Sequence, residues 1–162
     1  MGFKVLVTDM YANPPCRQIA DHFEQINTTD RHNSLGCSQK YNITHVATDQ
    51  TDVAVPTVAF IAEEMGLTGI GYDTSLRFTN KHEMRRSLNG KLDSSMPEYK
   101  FFSSGTEAKQ HCAKLADTRG FIVKPINSQG SKGVAVLNKD HTNSIDQAVK
   151  ESGGQGIIIE QF

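Results

Sequence analysis

The chain has 162 residues, with 17 Lys and Arg against 18 Asp and Glu, so its formal net charge is −1. A balance this close to neutral excludes a protein built to coat nucleic acid, because polyphosphate binding needs a concentrated positive field; a local basic pocket is compatible with it. The 37% hydrophobic and 22% charged residues fit a folded globular chain, and the longest apolar runs, such as Gly156-Ile157-Ile158-Ile159, fall far short of the ~20 residues of a membrane helix.

Cys16, Cys37 and Cys112 are spread along the chain without a C-x-x-C pair. Neither a zinc knuckle nor a thioredoxin-like motif can be built from them, and their odd number argues against a disulfide framework. The opening residues Met1 to Asp9 are too short in apolar length for a signal peptide. The expected compartment is the cytoplasm.

In chain order, Lys4 to Thr8 reads as a buried parallel strand stopped by Asp9. Pro14-Pro15 marks a turn, and Pro15 can open a helix through Cys16, Ile19, Ala20 and Phe23. Phe23 to Ile26 suggests a short strand, Leu35 to Tyr41 a weak helix, and Ile43 to Ala47 a second clear strand. Asp52, a candidate cap, precedes the strongest helix, which carries Val58, Ala59, Ala62 and Met65 and is ended by Gly66. Residues 67–78 read as a connector. Asn80 followed by Glu83 has the spacing of a helix start, with Asn89-Gly90 as its end. After a polar loop over 93–97, Tyr99 to Phe102 is a strand, and Ser104 with Glu107 caps a helix running through Cys112, Leu115 and Ala116. Phe121 to Pro125 and Gly133 to Leu137 are strands. The loop between them is too short for a crossover, so they pair as an antiparallel hairpin. Asn143 to Glu151 reads as a helix and Gly156 to Phe162 as a last strand. The expected division is 1–78, part of a parallel α/β layer, and 79–162, an antiparallel sheet with helices on one face.

The most informative stretch is Lys124-Pro125-Ile126-Asn127-Ser128-Gln129-Gly130-Ser131-Lys132-Gly133. A strand delivers a lysine at its tip, and a loop of small residues follows. Glycine lets backbone N–H groups approach an anion closely, while Ser128 and Ser131 add hydroxyl donors. The chemistry suits a nucleotide polyphosphate, and an ordinary solvated hairpin loop has a similar composition. The spacing of Gly130 and Gly133 is not that of a Walker A loop, and Gly69-x-Gly71 lacks the third position of a dinucleotide fingerprint. Lys81 and Arg85 lie one turn apart on one face of the helix after Asn80. Cations near a helix N-terminus oppose its dipole, and a bound anion would offset that cost. The six histidines are scattered, and no metal-ligand spacing appears.

Together, three features resemble the ATP-grasp ligases: Gly66-Leu67-Thr68-Gly69 followed by Asn80 to Arg85; the strand lysine with its Pro and Ser/Gly loop; and an apolar strand ending in Glu160. Within that superfamily the likeness is to the carbamoyl-phosphate-synthase-like and carboxylate–amine ligase branch. The resemblance implies a partial Rossmann-like layer over 1–78, preceding the N-terminal α+β subdomain of the grasp over 79–162. It implies that Lys81 and Lys124 contact ATP phosphates. The backbone around Ser128, Gly130, Ser131 and Gly133 would then cover the phosphates, and Glu160, Gln161 and Phe162 would meet the adenine edge. The family's chemistry transfers a phosphoryl group from ATP, with magnesium, to a small-molecule carboxylate, and an amine attacks the resulting acyl phosphate. In the family the ribose-binding acid, the metal ligands and the substrate arginine follow the stretch matched here. The chain is therefore expected to be a fragment, inactive alone, that self-associates or is completed by a missing C-terminal half. The alternative is a non-catalytic nucleotide-binding module or one half of a split ligase.

Overall fold

The computed structural model describes residues 2–49, 51–91, 96–115, 117–118, 120–138 and 141–161. They fall into two compact units, Met1–Leu76 and Arg77–Phe162.

In the first unit, β1 (Leu6–Asp9) runs parallel to β2 (His22–Gln25), with Leu6 opposite His22 and Val7 opposite Phe23. The helix expected from Pro15 to Phe23 is only a 3-10 turn, Pro15–Gln18. Its last hydrogen bond runs from Ile19 N–H to Cys16 O. Phe23 belongs to the ladder with β1, as the short strand expected over Phe23 to Ile26 has it, and that pairing overrides the local helical pattern. Helix α1 (Arg31–Lys40) starts four residues ahead of the expected Leu35, because the Asp30 carboxylate accepts the Asn33 N–H at 3.2 Å.

The strand expected over Ile43–Ala47 does not form. The β-branched residues are there, but β1 pairs only with β2 among the described residues, and a strand needs a hydrogen-bonding neighbour. Residues 43–48 instead line a cleft of about 830 Å³ together with residues 2–8.

Helix α2 (Val55–Glu64) follows a 3-10 turn, Asp52–Ala54. Thr51 holds the cap position of that turn, so Asp52 is its first residue and not its cap. Thr57, Ala59, Ile61 and Ala62 are the buried residues of α2, which shifts the inward face from the one expected through Val58 and Met65. Residues 67–78 are not a plain connector: α3 (Tyr72–Thr79) lies there. Its first turn is held by the Glu63 carboxylate of α2, which accepts the Tyr72 N–H at 2.8 Å, a start signal supplied from another element.

In the second unit, α4 (Lys81–Leu88) is capped by Asn80, whose side-chain oxygen accepts the N–H groups of His82 and Glu83. Four strands follow, β3 (Tyr99–Phe102), β4 (Phe121–Pro125), β5 (Ala135–Val136) and β6 (Ile157–Gln161). They form an antiparallel sheet in the order β3-β6-β4-β5. Helices α5 (Gly105–Cys112) and α6 (His141–Glu151) complete the unit. The Ser104 hydroxyl caps α5 by accepting the Glu107 N–H, and the helix stops at Cys112, short of the expected Ala116.

Alternation along the strands sorts this unit into two faces. Phe102, Val123, Ile157 and Ile159 point to one side and pack with Ala108, Cys112, Leu137, Ile145 and Ala148 into the core. Tyr99, Phe101, Ile122, Lys124, Ile158 and Glu160 share the other side, by their register. His82 of α4 lies on that second face, stacked on Phe101 with ring centroids 4.2 Å apart. The loop of 93–97 falls mostly outside the described residues.

Candidate functional site

The site is built on the second face of the sheet, where two cations, Lys124 and Arg85, meet one carboxylate. Glu160 ends the run Ile157-Ile158-Ile159 in the centre of the sheet, with β3 on one side and β4 on the other. It is only 2% exposed. A carboxylate so placed must be paired, since an isolated buried charge is very costly. Lys124 projects from β4 beside it, and the Lys124 ammonium donates to Glu160 Oε1. From α4, Arg85 lays its fork along the same group, Nη2 at 3.0 Å and Nε at 3.1 Å from Oε2. Nη2 also lies 3.4 Å from Oε1.

Lys81, one turn before Arg85, is joined to the loop after β4 at both ends. Its backbone N–H donates to Ile126 O at 2.7 Å, and its ammonium donates to Ser128 O at 2.7 Å. At Glu160 itself two cations, Lys124 and Arg85, face one carboxylate.

The loop itself is a compact turn. Ser128 Oγ donates to Lys132 O at 2.8 Å, and Val134 N–H donates to Ser131 O at 3.1 Å. Gly130, Ser131 and Gly133 all have positive φ, at 61°, 57° and 71°. At Gly133 the requirement is double, because a Cβ there would sit 2.8 Å from both Pro125 Cγ and Glu151 Cβ. Ser131 is the unusual one, a residue with a side chain held in the left-handed region, and such strain clusters at functional sites.

The structure thus joins Lys81 to Ser128 and Lys124 to Glu160. Gly130 and Ser131 stand at the exposed tip of the loop, and Gly133 packs at its base. Gln161 is exposed, and its N–H donates to Glu98 O at 3.0 Å. Phe162 lies outside the described residues. The Glu160 carboxylate accepts from both Lys124 and Arg85. Sequence reasoning noted Arg85 as part of a basic face without joining it to Glu160. The available signal was its spacing from Lys81, but the partner lies 75 residues away. Among the described residues no group of three His, Cys, Asp or Glu side chains is placed to hold a metal ion, and no helix is long and apolar enough to cross a membrane.

No family model matches the chain. It is 24% identical over 169 residues to a formate-dependent phosphoribosylglycinamide formyltransferase of Prochlorococcus marinus, covering 100% of this chain and 42% of that protein. Among solved structures it superposes on N5-carboxyaminoimidazole synthetase from Staphylococcus aureus complexed with ADP, with a TM-score of 0.65 and 18% identity. That match covers 100% of this chain and 42% of the other. The L-amino acid ligase of Bacillus licheniformis gives a TM-score of 0.63 at 20% identity, covering 98% of this chain and 38% of the other. The chain spans about two-fifths of the length of the relatives it matches.

Proposed function

We propose, for a chain that has the fold of the N-terminal portion of the ATP-grasp ligases, that the second unit binds the phosphates of ATP within a carboxylate–amine ligase. The observation that carries this is the pairing of Lys124 and Arg85 with one buried carboxylate, beside a loop of small residues tied to Lys81. ATP brings several negative charges into a partly water-excluded site. Fixed cations and backbone donors neutralise them without reorganisation at the moment of reaction.

In the proposed reaction a substrate carboxylate oxygen attacks the γ-phosphorus. The bond to the bridging oxygen of ADP breaks, and an acyl phosphate forms. An amine then attacks the acyl carbon and inorganic phosphate departs. In that sequence Lys124 and Lys81 hold the phosphate oxygens and spread the charge that develops on the leaving ADP. The loop from Ser128 to Gly133 covers the polyphosphate. The side chains described here fit ATP's phosphates. They offer no cage for magnesium, so no step is assigned to a metal held by this chain. Turnover is expected to require residues outside the chain, which is two-fifths as long as its relatives.

The test is thermal unfolding of the 162-residue protein with and without ATP. A ligand that binds only the folded state at a hundred times its Kd stabilises by about 2.7 kcal/mol. Millimolar ATP should raise the Tm, and Lys124→Ala should remove most of the shift. No shift at any nucleotide concentration up to millimolar would refute the reading.

A further inference from the structure

We propose that Arg85 is a positioning residue: it holds the buried Glu160 carboxylate so that Lys124 can leave that carboxylate for an anion. The inference rests on the ATP-site reading above and extends it to a residue that need not touch the nucleotide.

The argument starts from Glu160, which is 2% exposed and has to remain paired. Its two partners are chemically different. Arg85 offers a rigid planar fork, always charged, that grips a carboxylate through two nitrogens, and here Nε and Nη2 both reach Oε2. Lys124 offers a compact charge on a flexible stem and takes Oε1. If Lys124 were the sole partner, turning its ammonium to a phosphate would strand a buried carboxylate, so the pair would hold together and the anion would be refused. With Arg85 in place the carboxylate keeps its fork throughout, and the cluster has a cation to spare.

The neighbouring Arg86 cannot substitute. Its guanidinium is paired with Glu83 at 2.6 Å on the exposed side of α4. The helix that carries Arg85 is itself pinned at its start, by the Asn80 cap and by the Lys81 bonds to the loop. Arg85 is therefore delivered to Glu160 from a fixed base.

The experiment uses the 162-residue protein as wild type, Arg85→Met, Arg85→Lys, Glu160→Gln and the double variant Arg85→Met/Glu160→Gln, with two readouts. The first needs no nucleotide. Lys124 is trace-acetylated with acetic anhydride between pH 7 and 10, and its rate is read by peptide mass spectrometry. In Arg85→Met the ammonium is committed to Glu160, and its labelling should fall roughly tenfold. In the double variant the carboxylate is gone, and the rate should return to the wild-type value or above.

A role in packing alone predicts the opposite sign, since loosening the fold exposes Lys124 and speeds its labelling. An unchanged or faster rate in Arg85→Met therefore overturns the proposal. If Arg85→Met fails to fold, Arg85→Lys decides. A second point charge in place of the fork should still slow Lys124, by roughly threefold, and a rate at or above wild type overturns the proposal.

The second readout is ATP affinity from thermal shifts. It should weaken roughly tenfold in Arg85→Met and recover in the double variant. Absence of ATP binding by the wild type would sink the ATP reading alone, while the labelling rates still decide the role of Arg85.

Discussion

Replacing Gly133 by alanine isolates what the loop after β4 asks of its backbone. At φ +71° an L-residue costs about 1–2 kcal/mol relative to glycine. The new Cβ would also sit 2.8 Å from Pro125 Cγ, 2.8 Å from Glu151 Cβ and 2.9 Å from Glu151 Cγ. Proline Cγ is part of a closed ring and Glu151 Cβ is fixed to the α6 backbone, so neither gives way cheaply. Overpacking of this kind costs roughly another 1–3 kcal/mol. The expected loss is therefore about 2–5 kcal/mol.

Gly130 is the internal control. It has a similar φ of +61°, and nothing lies within 4 Å of its Cβ position. Gly130→Ala should cost only the backbone part, about 1–2 kcal/mol. Urea unfolding of both variants, followed by circular dichroism, gives the two free energies with one slope if the transition stays two-state. Equal losses in the two variants would refute the reasoning, because the close approach to Pro125 and Glu151 would then have no energetic weight.

Asn80→Ala removes an acceptor for two N–H groups at the start of α4, and urea unfolding should report a loss of about 1 kcal/mol. His111 supplies a pH dependence. Burial, helped by the nearby Lys100 and Lys114, holds its imidazole below the ordinary 6.5. At pH values under about 6.5 the unfolded chain takes up a proton that the folded His111 resists, so this part of the stability is lost as pH falls toward the folded value. The stability difference between wild type and His111→Asn should be constant above pH 6.5 and shift against the wild type as pH falls below it. A gap that stays constant well below pH 6.5 would contradict the assignment.

Much of the second unit was legible because its signals are local. Asn80 and Ser104 cap the helices expected of them, and the alternation of 121–125 and 157–161 yields strands whose two faces separate core from site. Lys124 and Glu160 share the site face because each lies an odd number of residues from the inward Val123 and Ile159, a parity that can be counted on the page.

The first unit was less legible because its outcomes are set by distant partners. Phe23, which both a helix and the short strand Phe23 to Ile26 claimed, went to the strand through its ladder with Val7, and Ile43 to Ala47 kept strand-like residues without a ladder to join. Helix α3 begins where Glu63, nine residues earlier, supplies an acceptor.

The residue types at the site, two lysines and a loop of glycine and serine, were decided by the sequence alone. That Arg85 completes the charge cluster around Glu160 was decided only by tertiary structure, because a pairing across 75 residues depends on how α4 packs against the sheet and leaves no period or spacing in the chain.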